Sequence, residues 1–196
     1  MIVEPVALEG RRVRLEPMRM EHLGALAEVA LAPEIWRWSP MRVETEADLR
    51  AWMEQSLEMA AAGKAMPWVT RSAANGKIVG STRYMDIDAR NHGLEIGGTW
   101  IAPAWQRSGI NVEAKYLQLR HAFEMLGAIR VAFKTHHQNA QSQSAIAALG
   151  AQPEGVFRNH MIMPDGSLRH SVWFSIIQEE WPDVKIGLEA RMAAHA

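Results

Sequence analysis

A polar loop, Gln106-Arg107-Ser108-Gly109-Ile110-Asn111, joins an apolar strand pattern to a long helical one, and that succession narrows the fold before anything else is considered. A strand, a glycine turn and a helix in series belong to layered α/β architectures. The first amides of the helix have no partner within it. Together with the positive end of the helix dipole they attract an anion. Gly109 lets the backbone approach such an anion closely and Arg107 adds a charge, while Asn111 can cap the helix. The same residues also allow a plainer reading, in which glycine serves only the turn. The loop has neither the Gly-x-x-x-x-Gly-Lys-Ser/Thr of a P-loop nor the triple glycine of a dinucleotide fold, so both are set aside.

The rest of the chain reads as a mixed sheet with helices. Residues 12–16 alternate as a first strand, and 21–31 and 46–62 have the apolar spacing of helices. Residues 33–40 read as a loop carrying Trp36 and Trp38. Strands at 67–70 and 77–85 flank Asn75-Gly76, a strong hairpin signal. The helix at 111–126 turns Ala114, Leu117, Phe123 and Leu126 to a sheet and leaves Glu113, Lys115 and Arg120 as solvated positions. A strand at 130–135, a helix at 142–149 and two strands around the turn Pro164-Asp165-Gly166 close the order.

Several residues carry candidate chemistry, each with a plainer alternative. Gly97-Gly98 interrupts a strand, either as a bulge or packing contact, or as a bulge that turns a backbone N–H toward a substrate carbonyl. Glu95 is acidic in an apolar strand: by default a solvated face, otherwise a general base. Asn139 suits a helix cap, and the Ser142 hydroxyl either bonds the helix backbone or donates a proton. Trp36, Trp38 and Trp52 pack a core by default, but an aromatic pair on a loop can also grip an acceptor. Trp100 and Trp173 read as core. The histidines show no metal-ligand spacing; His136 and His137 would point to opposite faces of a strand, and His160 and His170 would sit on a hairpin.

Composition bounds the function classes. At 196 residues and 48% hydrophobic, the chain suits one domain, 1–196, with its core over about 11–181 and a tail at 187–196. A net charge of -1 without like-charge runs gives no general attraction to nucleic acid or anionic membrane. No leader and no membrane-length apolar run is read, so a soluble cytoplasmic protein is expected. With no cysteine there is no disulfide and no thiol nucleophile.

The loop resembles the Gln/Arg-x-x-Gly-x-Gly/Ala pyrophosphate loop of the GNAT acetyltransferases, with Asn111 departing from its last position. Residues 94–103 resemble the family's central strand, and Asn139-Ala140-Gln141-Ser142 leading to Leu149-Gly150 resembles its Asn-x-x-Ser…Leu-Gly helix. The likeness is nearest to the ribosomal-protein N-terminal acetyltransferases. It implies an α/β fold of α+β type, with a mixed, mostly antiparallel sheet of about seven strands and about four helices. It implies acetyl-CoA as acetyl donor and no metal. Trp100, Ile101, Gln106 to Asn111, Asn139 and Ser142 would line the cofactor, Glu95 and Ser142 would serve catalysis, and Trp36, Trp38 and Glu95 would meet the acceptor. A tyrosine common in relatives is Ile146 here, so that acid is missing. The acceptor expected is a peptide or protein N-terminal α-amine, with a small amine or acetyl-CoA binding without catalysis as alternatives. A homodimer is compatible with the branch.

Overall fold

The computed structural model describes residues 1–194. One eight-stranded sheet runs through the molecule in the order β1-β2-β3-β4-β5-β6-β8-β7. Its strands are β1 (Leu8–Glu9), β2 (Val13–Pro17), β3 (Met66–Ser72), β4 (Ile78–Asp88), β5 (Gly93–Ile101), β6 (Arg130–His136), β7 (Gln152–Ile162) and β8 (Leu168–Ile177). The helices are α1 (Leu23–Ala30), α2 (Pro33–Trp36), α3 (Glu46–Ala61), α4 (Ile110–Arg120), α5 (Ala140–Ala147) and α6 (Trp181–Ala194).

Alternation along the strands builds two cores, one on each face. Trp68, Tyr84, Leu94 and Ile96 pack with Leu117 and Leu119 of α4 and Leu188 of α6. The neighbouring Val69 and Ile78 face the other way, toward Leu26 of α1 and Leu49 and Met53 of α3. Each such fully buried aliphatic side chain contributes about 1.5–3 kcal/mol of hydrophobic stabilisation. Local signals fix the ends. Thr45 caps α3 by accepting from the Asp48 amide at 3.1 Å while Asp48 accepts from the Thr45 amide at 2.9 Å.

All pairings are antiparallel except one. β5 and β6 run parallel and are joined only over Gly93, Leu94 and Glu95. Beyond Glu95 the β6-facing edge of β5 has no strand partner among the described residues, while β6 stays paired with β8 along its whole length. The sheet therefore opens in the middle, with backbone groups along one wall available to a ligand.

Several sequence expectations change here. The stretch 33–40 begins as a helical turn, α2, rather than a loop throughout. Residues 187–194 belong to α6, with Leu188 buried, rather than to a tail; 195–196 lie outside the described residues. Glu113 and Lys115 are buried instead of solvated. Glu113 accepts from the amides of Arg11, Arg12 and Val13 at 2.7–3.0 Å, tying α4 to the start of β2. β6 ends at His136, so His137 is free of the strand alternation and the two rings stack at 4.5 Å.

Candidate active site

The opening between β5 and β6 is shaped by a bulge. Ser81 pairs with Trp100 and Arg83 with Gly97, so Gly98 and Thr99 together oppose Thr82 alone. Gly98 adopts φ 55°, and a Cβ there would stand 2.6 Å from Arg83 Nε. The bulge expected at Gly97-Gly98 thus lies one residue further on, at Gly98-Thr99, because Gly97 keeps its pairing with Arg83; it falls on the stretch of β5 that β6 leaves unpaired.

On one side of this bulge lies Glu95. It is 2% exposed, not on a solvated face, because β5 carries it toward the α1–α3 side of the sheet. Its Oε2 accepts from Lys134 Nζ at 2.7 Å, and Lys134 also meets Asp86 at 3.1 Å. Burial pushes the Glu95 carboxyl up to about 7, against the opposing pull of Lys134. A Cβ on Gly97 would fall 2.7 Å from Glu95 Oε1, so the carboxylate sits directly beside the bulge backbone. Near neutral pH this carboxyl can take or give a proton at that point.

On the other side lies Lys115 of α4, also buried. Its Nζ donates to Thr99 Oγ1 at 2.6 Å, Thr82 Oγ1 at 2.9 Å and Gln118 Oε1 at 3.0 Å. None of these partners is charged, and burial pulls the lysine down to about 7. Sequence reading missed it. The signal was available in the spacing, since Lys115 lies four residues from the buried Leu119 and so on an inward stripe of the helix.

At the far end of β5 the loop delivers its amides. Gly109, at φ 83°, caps α4, so Asn111 is not the cap but lies in the first turn, with its Oδ1 buried and unpartnered. Arg107 takes φ 60°, and Gln106 Nε2 donates to Ile101 O at 3.2 Å, fastening the loop to β5. Ser108 Oγ donates to Trp105 O at 2.6 Å, and Ile110 anchors the helix start in the core. The first amides of α4 thus follow in the chain, by way of this loop, on the end of β5 whose edge β6 leaves bare.

The remaining candidates separate. Trp36 is core, packed with Trp52 and Trp100 at 5.6 and 5.9 Å between ring centroids, and its Nε1 donates to Ala30 O. It therefore does not form an acceptor clamp with Trp38. Trp38 is half-buried with its ring 4.8 Å from His136, and its carbonyl accepts from Arg169 at 3.2 Å. Trp100 is buried as expected of a core residue, and Ile101 closes β5. Asn139 caps α5, accepting from the Ser142 amide at 3.0 Å. Among the described residues no group of three or more acidic, histidine or cysteine side chains could hold a metal, and no helix is long and apolar enough to cross a membrane.

The sequence profile of the GNAT acetyltransferase domain matches residues 12–152, which is most of the chain. The protein belongs to the GNAT acetyltransferase family. Its fold agrees with solved members. A T. thermophilus protein designated an acetyltransferase is 39% identical over 97% of this chain and 99% of its own, with TM-score 0.87. A GCN5-related N-acetyltransferase from Brucella melitensis is 30% identical over 97% and 86%, with TM-score 0.89. Mycobacterium smegmatis RimJ, solved in complex with CoA-disulfide, is 23% identical over 95% of both chains, with TM-score 0.83, a likeness of fold. No curated protein matches the chain significantly. As a GNAT enzyme the protein is an N-acetyltransferase that uses acetyl-CoA.

Proposed function

We propose that the protein transfers acetyl from acetyl-CoA directly to the α-amine of a peptide or protein N-terminus. The observation that carries this reading is the Glu95 carboxyl beside the β5 bulge, poised to ionise at about 7. An α-amine of pKa near 8 costs about 1.4 kcal/mol to deprotonate at pH 7, whereas a lysine near 10.4 costs about 4.6 kcal/mol. A single base of this strength suffices for the first and leaves most of the second unmet. The amine attacks the thioester carbonyl as Glu95 accepts its proton, and bulge amides stabilise the oxyanion. With no cysteine in the chain, no cysteinyl intermediate intervenes.

The pyrophosphate would rest on the amides from Ser108 to Asn111, with Arg107 as counter-charge and Gln106 holding the loop. The pantetheine arm would follow the bare edge of β5 past Ile101 and Trp100 toward Asn139 and Ser142. Trp38 would border the acceptor. The small-amine reading loses support with Trp36 in the core, because one aromatic ring remains where a clamp needs two. On this reading the protein works in the cytoplasm.

Thiol release from acetyl-CoA tests it, measured against peptides with free or blocked N-termini, free amino acids and small amines. Turnover confined to free peptide N-termini is expected. Equal turnover with simple amines would overturn the acceptor assignment, and binding of acetyl-CoA without any turnover would overturn the enzyme reading of this site.

A further inference from the structure

We propose that Lys115 and the Thr99 hydroxyl form a relay that hands a proton to the departing thiolate, replacing the tyrosine whose position is Ile146. The cluster has one outlet. Lys115, Thr82 and Gln118 are buried, whereas Thr99 is exposed in the bulge, on the stretch of β5 that β6 leaves bare. Thr99 Oγ1 is the shortest contact of Lys115 Nζ, at 2.6 Å, and stands 2.8 Å from Thr82 Oγ1. A proton leaving the lysine for the opening therefore has a path through Thr99.

A structural role explains this arrangement poorly. A buried ammonium without a carboxylate is among the costlier things a core can hold, and an apolar side chain would pack α4 on the sheet at less expense. The groups facing Lys115 are the two threonines from β4 and β5 and Gln118 from its own helix. Beyond Gln118, whose carbonyl accepts from the Tyr84 hydroxyl, stand Tyr84 and His121. Among the described residues the ammonium thus has no counter-charge at ion-pair distance, and burial sets its acidity close to neutrality, where an acid is most effective.

The tetrahedral adduct collapses, the carbon–sulfur bond breaks and its electron pair goes to sulfur. Sulfur takes the Thr99 hydroxyl proton as Thr99 takes one from Lys115, leaving CoA thiol and a neutral lysine. Glu95 holds the proton lost by the amine, and exchange with solvent restores both groups. Lys115 is a positioning residue in this scheme, and Thr99 is the group that touches the leaving sulfur.

The inference rests on the thioester lying along β5, and its test separates the two. The chain has no cysteine, so thiolate absorbance reports bound CoA alone. In the wild type the bound thiol should titrate about one pH unit or more below its free value. Thr99→Val should restore the free value and lower kcat about a hundredfold at unchanged KM for acetyl-CoA, and Thr99→Ser should recover both. Lys115→Met should behave as Thr99→Val, and the threonine pair of variants carries the test if it does not fold. An unchanged thiol titration in Thr99→Val, a loss confined to KM, or no rescue by serine would overturn the relay while leaving the cofactor site intact. Failure of the wild type to bind CoA would remove the site itself.

Discussion

The two sides of the β5 bulge hold opposite charges brought to the same acidity by the same cause. On the α1–α3 side Glu95 is raised to about 7, and on the α4 side Lys115 is lowered to about 7, both chiefly by burial. They differ in company. Glu95 has a cation at 2.7 Å, and Lys115 has only neutral oxygens. An acid and a base separated by one strand can therefore both be half-ionised near neutral pH, which is the condition for moving a proton in each direction across a reacting thioester.

The two groups act oppositely on stability. Unfolded, Lys115 would titrate near 10.5 and Glu95 near 4.5. Between about 7 and 10.5 the unfolded chain keeps a proton that the folded lysine has lost, so stability rises with pH. Between 4.5 and about 7 the folded carboxyl keeps a proton that the unfolded chain has lost, so stability falls with pH. Replacing Lys115 with Met should flatten the alkaline rise and stabilise the protein near pH 7 by on the order of 4 kcal/mol, less the cost of the bonds lost at Thr82 and Gln118. Denaturant melts of both proteins at pH 7 and 10 measure it. A Lys115→Met curve parallel to the wild type would mean that the lysine is not held near neutrality.

Next in size is the effect of Glu95→Gln on rate. With an α-amine acceptor the wild-type rate should rise toward pH 7 as the carboxyl ionises and fall above it as Lys115 loses the proton it supplies. The variant should lose about a hundredfold at pH 7 and much less above pH 9, where the amine is already neutral. Its rising limb should then follow the amine instead. A profile of unchanged shape would remove Glu95 from the role of base and leave the lysine side of the bulge as the sole titrating partner.

What the sequence disclosed and what it hid divide along the same line. Asn75-Gly76, the Gly97-Gly98 bulge and the Asn139 cap were legible because each is decided within a few residues. Asn111 misled for the same local reason: an asparagine suits a cap, but Gly109 in a left-handed conformation had already taken that place. Trp36 and Trp38 look like neighbours on a loop, and one helical turn at α2 sends the first into the core. Glu95, Glu113 and Lys115 look solvated in the sequence because charged residues usually are. Their burial comes from contacts that no local window contains: Glu113 answers amides about a hundred residues earlier, and Lys115 answers hydroxyls on two other strands.

The finest test acts within the carboxylate side alone. Lys134 bridges Glu95 and Asp86, pulling the Glu95 carboxyl down while Asp86 pushes it up. Lys134→Met should therefore move the rising limb of kcat/KM to higher pH by about one unit, as loss of an adjacent, largely shielded cation does. Asp86→Asn should move it the opposite way by a few tenths of a unit, because the Asp86 side chain is more than half exposed and water screens it. At roughly 1 M salt, where the screening length is about 3 Å, the Asp86 shift should vanish and most of the Lys134 shift should persist. Limbs that move in the same direction, or that move equally at high salt, would show that a group other than Glu95 sets the rise. Lys115 across the strand would then titrate without Glu95 as its complementary base.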